Sequence, residues 1–191
     1  MSLPARADDG PRLGRPRDPS LDVALVEATL DLLAEGGLAA VTMEAVAARA
    51  GVGKATLYRR WPAKEQLVVD ALATLSETVE LPDGADVRES LVVLVSAVQR
   101  RRDSLAGRIF PRLVGQAEDN PELIRRYREQ VLEPRRARFR AVLRRGVEEG
   151  VLRADLDLDH AYDLLVGPVA YRSLLRTDPP VGPDFPARVV D

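Results

Sequence analysis

The sequence predicts an all-α protein. Apolar residues recur at helical spacing along most of the chain, and no stretch shows the strict alternation of apolar and polar residues that is typical of a strand. Prolines and glycines fall between the periodic stretches, where they start and end helices. With 191 residues, the chain has room for a small helical module joined to a larger one.

The N-terminal part contains signals for three helices. Asp18 and Pro19 combine a capping side chain with a first-turn residue, and the glycines at 36–37 end this first helix. Thr42 is expected to cap a second helix that stops at Gly51, because glycine tolerates the left-handed conformation that terminates helices. A tight glycine turn then leads into the third helix.

The remaining chain is also expected to be helical. Pro62 is placed in the first turn of a fourth helix that ends near residues 81–84. Pro134 is expected to kink or split the longest of the later segments. These later helices are predicted at residues 91–98, 105–116, 121–149 and 158–175.

Both ends of the chain lack such a pattern. Residues 1–17 are rich in Pro, Gly and Arg and are expected to form a flexible basic arm. The tail from residue 177 is proline-rich and loosely specified.

Composition excludes several classes of protein. The chain has no cysteine, which rules out disulfides, thiolate metal sites and a cysteine nucleophile. It lacks the apolar core of a signal peptide and any apolar run long enough to span a bilayer, so we expect a soluble, cytoplasmic protein without a membrane partner. The net charge is only −2, but the charges are unevenly distributed.

The stretch "GVGKATLYRRW", residues 51–61, resembles a loop that cradles phosphate. A nucleotide-binding loop needs a glycine five residues before its Gly-Lys pair and a hydroxyl directly after the lysine, and it follows a buried strand. Here Ala48 and Ala55 occupy those two positions, and a predicted helix precedes the turn. The sequence therefore argues against a nucleotide site.

A short helix, a tight turn and a second short helix are instead the parts of a DNA-binding helix-turn-helix, whose second helix enters the major groove. The charge pattern agrees, because residues 45–64 contain five basic residues and no acidic residue. The chain's only two lysines, Lys54 and Lys64, both lie in this segment. The predicted phosphate is therefore that of a DNA backbone.

Residues 20–70, and above all "TMEAVAARAGVGKATLYRRWPAKEQLV", resemble the N-terminal DNA-binding domain of the TetR family of transcriptional regulators. The resemblance implies a helix-turn-helix DNA-binding domain at residues 18–64 and a helical ligand-binding and dimerisation domain at residues 65–191. It also implies a homodimer that binds a palindromic double-stranded DNA operator. The implied activity is that of a repressor controlled by a small-molecule effector, which the sequence does not identify.

The resemblance also assigns candidate DNA contacts. Arg59 and Arg60 are neighbours on one helix and point about 100° apart, so one is expected to contact DNA while the other stays solvated. Arg15 and Arg17 of the arm are candidates for the minor groove, with a disordered tail as the alternative. The alternative for Lys54 is a solvated surface lysine, and the alternative for Tyr58 is a buried tyrosine. The remaining candidates are Thr42, Lys54, Thr56, Tyr58 and Lys64.

The middle helices carry apolar faces that either fill a core or, as the resemblance implies, enclose an effector cavity. The candidate cavity residues are Phe110, Leu113, Tyr127, Val131 and Phe139. Arginine runs in the same region, such as residues 100–102, 125–126 and 135–136, are interspersed with acids and are expected to form solvated faces with local ion pairs.

The segment "AYDLLVGPVAYRSLL", residues 161–175, is apolar on more than one face, which favours a buried partner. The resemblance implies that this partner is the second protomer of a two-fold dimer. The candidate interface residues are Leu164, Leu165, Gly167, Val169, Tyr171 and Leu174.

Catalytic, metal and cofactor sites are not expected. His160 is the single histidine and lies near Asp157, Asp159 and Asp163, but one histidine with exposed carboxylates is a weak metal signal. No Ser/His/acid set or carboxylate pair on an evident pocket face is present. The alternative to a regulator is a helical small-molecule-binding protein or enzyme whose basic helix docks to a protein partner.

Overall fold

A computed structural model describes residues 19–101, 104–175 and 182–191. These residues form ten α-helices and no strand, which confirms the predicted all-α class. The helices are α1 Pro19–Gly36, α2 Met43–Arg49, α3 Lys54–Arg60, α4 Lys64–Thr74, α5 Val87–Arg100, α6 Leu105–Val114, α7 Pro121–Tyr127, α8 Glu133–Glu148, α9 Leu158–Leu175 and α10 Phe185–Val190.

The fourth helix is shorter at both ends than the sequence predicted. Pro62 lies outside α4, because Ala63 is extended at φ −130° and ψ 142° and the helix starts only after it. The helix begins at Lys64 and ends at Thr74, whose hydroxyl donates to the carbonyl of Ala71 at 2.6 Å. The chain after it is drawn away, since Val79 packs into a different part of the core.

The longest predicted helix is split, as the proline suggested. Arg128–Leu132 form a single π-helical turn between α7 and α8. Pro134 has no N–H to give to the preceding turn, and a wider turn accommodates the missing hydrogen bond. Helix α5 begins earlier than predicted because Asp86 and Glu89 form a capping box at its start.

Apolar side chains form two core clusters. The first joins α1 to α4 with α6, α7 and the π-helical turn, and the second joins α5, α8, α9 and α10. The small N-terminal module is therefore not isolated, because α6 and α7 share its core. The tail that the sequence left undefined includes α10, which packs into the second cluster through Phe185, Val189 and Val190.

Glycine sets the separation between α8 and its neighbours. Gly146 is buried, and a Cβ atom at this position would lie 2.7 Å from Leu152 and 2.9 Å from Val87. A larger residue would push these neighbours out of the second core.

Along the three described ranges, no helix has the length and apolar character that crossing a membrane requires.

Candidate DNA-binding surface and internal cavity

The turn between α2 and α3 is held by backbone and capping hydrogen bonds. Thr42 is extended, and its hydroxyl accepts a hydrogen bond from the amide of Ala45 at 3.0 Å, which confirms it as the cap of α2. Gly51 adopts φ +66°, and the amide of Val52 then donates to the carbonyl of Ala47 at 2.9 Å. The chain thus reverses over a few residues, as a helix-turn-helix requires.

Buried side chains fix the orientation of α3. Leu57 and, from α2, Val46 are fully buried in the first core. The opposite face of α3 carries Lys54, Tyr58 and Arg59, all exposed, with Tyr58 45% accessible. A tyrosine ring that is this exposed contributes little to folding, so this face is available to a partner.

The basic segment is partly neutralised by acids from elsewhere in the chain. Arg49 pairs with Glu35 of α1 at 2.7 Å, and Lys54 pairs with Glu44 of α2 at 3.2 Å. Hydrogen bonding to Arg49 lowers the pKa of Glu35 below its ordinary value. These pairs are largely exposed and contribute little to stability, so a phosphate could replace the acids at small cost.

Arg60 has a different environment from its neighbour Arg59. Its side chain is only 11% exposed and forms an ion pair with Asp22 of α1. Arg59 is exposed and forms no ion pair with any described residue. Arg60 therefore links α3 to α1, and Arg59 is the solvent-exposed member of the pair.

The other predicted DNA contacts lie around this face. Thr56 is half-buried on α3, and Lys64, also half-buried, is the first residue of α4. Among the described residues Lys64 has no ion-pair partner, which leaves its ammonium group available for a phosphate. Arg15 and Arg17 lie outside the described residues.

A polar chain connects the end of α3 with α7. The indole of Trp61 donates to Asp70 at 2.7 Å, and the amide of Gln66 donates to the second oxygen of the same carboxylate at 2.6 Å. Arg126 of α7 donates to Gln66 at 2.7 Å. A displacement of α7 would therefore change the position of Trp61, at the C-terminal end of α3, through these hydrogen bonds.

A cavity of about 120 Å³ lies between α5, α6, α7, α8 and α9. Three of the five candidate cavity residues, Phe110, Tyr127 and Phe139, line it. The other two predicted residues are buried beside it: Leu113 borders a separate void of about 10 Å³, and Val131 packs in the first core. The rest of the lining is Val98, Arg101, Ala106, Gly107, Pro111, Leu132, Arg135, Tyr162, Val166 and Ala170.

Two arginines in this lining were missed by the sequence analysis, which assigned them to solvated helix faces. Arg101 donates to the carbonyl of Leu75 at 3.2 Å, and Arg135 donates to the hydroxyl of Ser76 at 2.9 Å. Burial, together with the positive charge of Arg135, lowers the pKa of Arg101 to about 10. Neighbouring arginines in a run point in different directions on a helix, and only the packing decides which of them turns inward.

Another arginine run does form the expected local ion pairs. Arg125 and Arg126 both donate to Glu122, at 2.8 Å and 2.6 Å. Hydrogen bonds from Arg125 and, to a smaller extent, from Arg126 lower the pKa of Glu122 to about 2. This exposed face of α7 is therefore a network of ion pairs.

The apolar helix α9 is divided between two environments. Leu165 and Val169 are buried, 8% and 2% exposed, and belong to the second core of the same protomer. Leu164, Tyr171 and Leu174 are 61%, 61% and 39% exposed. The exposed residue Gly167 lies near this apolar stripe, and a Cβ atom there would meet nothing within 4 Å.

The neighbourhood of His160 is a helix cap. The carboxylate of Asp157 accepts hydrogen bonds from the amides of Asp159 and His160, at 2.9 Å and 3.1 Å, and thereby starts α9. No group of three or more potential metal ligands occurs within the described ranges. The acids around this histidine therefore serve the helix and nearby arginines, including Arg136, which pairs with Asp163 at 2.9 Å.

Comparison with known proteins assigns the chain to a family. The family model "Bacterial regulatory proteins, tetR family" matches residues 25–71, and the model "Tetracyclin repressor-like, C-terminal domain" matches residues 81–191. The HTH-type transcriptional regulator YdeS of Bacillus subtilis is 34% identical over 166 residues, which cover 86% of this chain and 84% of YdeS. The DNA-binding transcriptional repressor TetR of Mycobacteroides abscessus is 28% identical over 177 residues, 92% of each chain.

Solved structures agree with this assignment. The TetR family transcription regulator SCO0332 is 34% identical, has a TM-score of 0.68, and matches over 90% of this chain and 94% of its own. FadR from Bacillus subtilis, solved in complex with stearoyl-CoA, shares the fold with a TM-score of 0.69 at 19% identity, over 88% of this chain and 94% of its own. The curated relatives are transcriptional regulators, so the alternative of an enzyme is wrong. The chain belongs to the TetR family of helix-turn-helix transcriptional regulators.

Proposed function

We propose that this regulator is a cytoplasmic homodimeric repressor that binds a palindromic operator and leaves it when a small molecule occupies the cavity. The observation that carries the proposal is the exposed face of α3, on which Lys54, Tyr58 and Arg59 are turned away from the core. In a helix-turn-helix this face enters the major groove. The cavity and the apolar stripe of α9 supply the other two parts.

The DNA contacts divide by chemistry. Within residues 45–64, Arg59 and Lys64 are the two cations that form no ion pair with a described residue, so we assign them to phosphates. Lys54 must exchange Glu44 for DNA, and it lies at the leading end of α3, where a base edge is within reach. Thr42 and Thr56 lie at the starts of α2 and α3, and their hydroxyls complete the phosphate-facing set.

Dimerisation follows from the exposed side of α9. Leu164, Tyr171 and Leu174 form an apolar stripe, and Gly167 leaves room for another helix to approach. A two-fold axis through this stripe would bring two copies of α3 to one side of the DNA, which requires matching half-sites. Of the interface candidates, Leu165 and Val169 support this helix from inside the protomer.

Release by an effector requires that the cavity and α3 be coupled. Tyr127 of α7 lines the cavity, and its neighbour Arg126 begins the polar chain through Gln66 and Asp70 to Trp61. A ligand that displaces α7 would change the position of α3 in each protomer. The spacing between the two recognition helices would then no longer fit both half-sites.

The test is selection of bound duplexes from a random DNA pool at two salt concentrations. We expect an inverted repeat that is still recovered at the higher salt, with Leu164→Glu weakening both self-association and recovery of the repeat. The exposed and remote substitution Val151→Glu is the matched control for the added charge. Sequence-blind binding that disappears at higher salt, or an asymmetric single site, would contradict the proposal.

A further inference from the structure

The cavity combines an apolar lining with two adjacent cations. Phe110, Phe139 and Tyr162 form an aromatic wall, in which the rings of Phe139 and Tyr162 meet edge to face with centroids 5.2 Å apart. Arg101 and Arg135 reach the same space from the end of α5 and the start of α8. An apolar effector alone would bring no negative charge to either guanidinium group.

Among the described residues that line the cavity with these two arginines, none is acidic. No carboxylate of the described residues lies within ion-pair distance of Arg101 or Arg135, whose hydrogen bonds go to a carbonyl and a hydroxyl. Glu77 lines the smaller neighbouring cavity, and its carboxylate pairs with Arg100 at 3.8 Å. Two like charges in a partly desolvated site repel each other, and an anion between them would remove that cost.

The two arginines also mark the position of the anion. They line the cavity of about 120 Å³ on one side and a smaller one of about 40 Å³ on the other. The larger cavity holds most of the aromatic residues, whereas the smaller one leads to Glu77 and Arg138. A ligand with its apolar body in the larger cavity would therefore place its charged end at the junction.

We propose that the effector is a compact apolar acid, whose carboxylate lies between Arg101 and Arg135 and whose apolar body fills the aromatic cavity. This inference rests on the proposed function, because it names the chemical class of the effector. The planar guanidinium groups bind a carboxylate through paired hydrogen bonds. Tyr127 and Tyr162 line the same cavity, and burial raises the pKa of Tyr162.

The same two arginines provide a route from the acid to the DNA-binding domain. Arg101 and Arg135 hold Leu75 and Ser76, the two residues that directly follow α4. A carboxylate that takes over these donors would loosen the end of α4. Binding of the acid is thereby linked to the position of the helix-turn-helix, through the two arginines and the two residues after α4.

The test uses three probes with the same body: 4-phenylbutyrate, 4-phenylbutanol and 4-phenylbutylamine. Binding to the full chain is measured by calorimetry, and release of the selected duplex by fluorescence anisotropy. We expect the acid to bind at least tenfold more tightly than the alcohol or the amine. Arg101→Gln and Arg135→Gln should each lower the affinity for the acid by about 10- to 100-fold, the range for a hydrogen bond to a charged group.

Arg100→Gln is the matched control, because it removes the neighbouring exposed arginine from the same helix end. Arg101→Lys keeps the charge and should retain part of the affinity, which separates loss of binding from loss of folding. Equal affinity for acid and alcohol, no binding of the acid to the unmodified protein, or equal effects of Arg100→Gln and Arg101→Gln would overturn the inference.

The two proposals fail in different ways. If the alcohol binds and releases DNA as well as the acid does, the effector mechanism stands and the assignment to an acid falls. If the acid binds through both arginines but the duplex stays bound, the ligand class stands and control of DNA binding by this cavity is contradicted.

Discussion

The adjacent residues Arg59 and Arg60 allow a test of which side chains of α3 bind DNA and which stabilise the fold. The two side chains have the same chemistry and lie side by side on α3. Arg59 is exposed, whereas Arg60 is 11% exposed and paired with Asp22 of α1. We therefore expect Arg59→Ala to change DNA binding and Arg60→Ala to change stability.

The effect of Arg60→Ala follows from its burial. An exposed ion pair contributes about 0–1 kcal/mol, and breaking a fully buried one costs about 3–5 kcal/mol. Since Arg60 is nearly buried and Asp22 is 42% exposed, we expect a loss of about 1–3 kcal/mol in the free energy of unfolding. For a chain of this size that loss lowers the Tm by about 2–12 °C.

The effect of Arg59→Ala follows from counterion release. One lost phosphate contact reduces the slope of log K against log salt by about 0.9, and a homodimer loses two such contacts. Between 50 and 200 mM salt, the affinity of the variant should therefore fall about 12-fold less than that of the unmodified protein. Its Tm should be unchanged, because Arg59 forms no ion pair with a described residue.

The assay is anisotropy of the selected duplex across a salt series, with thermal unfolding of the same preparations followed by circular dichroism. Arg153→Ala is the control for loss of a positive charge, since Arg153 is exposed in the loop before α9. An unchanged salt slope for Arg59→Ala would refute its phosphate contact. An unchanged Tm with a reduced slope for Arg60→Ala would show that this arginine turns from Asp22 to the DNA.

Four further predictions concern the scaffold and the self-association surface. Thr42→Ala removes the cap of α2 and should cost about 0.5–2 kcal/mol in urea unfolding, whereas Thr42→Ser should cost less. Gly146→Ala places a Cβ atom 2.7 Å from Leu152 and should cost about 1–3 kcal/mol through overpacking, more than the helix gains from alanine. Gly167→Ala, with open space around it, should preserve protomer stability but weaken self-association in sedimentation; equal losses at both glycines would contradict this contrast. Hydrogen bonds from the backbone to Asp157 lower its pKa, so its contribution to stability is present above about pH 4 and lost as the pH falls through the lowered value. The difference in Tm between the unmodified protein and Asp157→Asn should therefore shrink below about pH 4, and a pH-independent difference would count against the cap.

The helix-turn-helix could be predicted residue by residue because its signals are local. Thr42 caps α2, Gly51 takes a positive φ, and the turn between the two helices is a few residues long. Each of these depends on the chemistry of one residue and its nearest neighbours in the chain. The split at Pro134 belongs to the same class, because proline lacks the N–H that a continuous helix requires.

Charge was predicted less well, because acids approach from other parts of the chain. Residues 45–64 contain no acid, yet Arg49, Lys54 and Arg60 are paired with Glu35, Glu44 and Asp22. Three of the five basic residues of the segment are therefore partly neutralised. Their partners become visible only when α1 and the start of α2 are packed against α3.

By itself, the sequence determined the all-α class, the helix-turn-helix and the family, since periodicity, caps and a motif of contiguous residues are properties of the chain. Only the tertiary structure decided that Arg101 and Arg135 face a cavity and that Leu165 and Val169 face the core while Leu164 and Tyr171 stay exposed. Helical spacing gives the angle between two side chains on the same helix but not the direction in which the helix as a whole is turned. That direction is set by the packing of distant helices, α5 against α8 and α9, which no local pattern records.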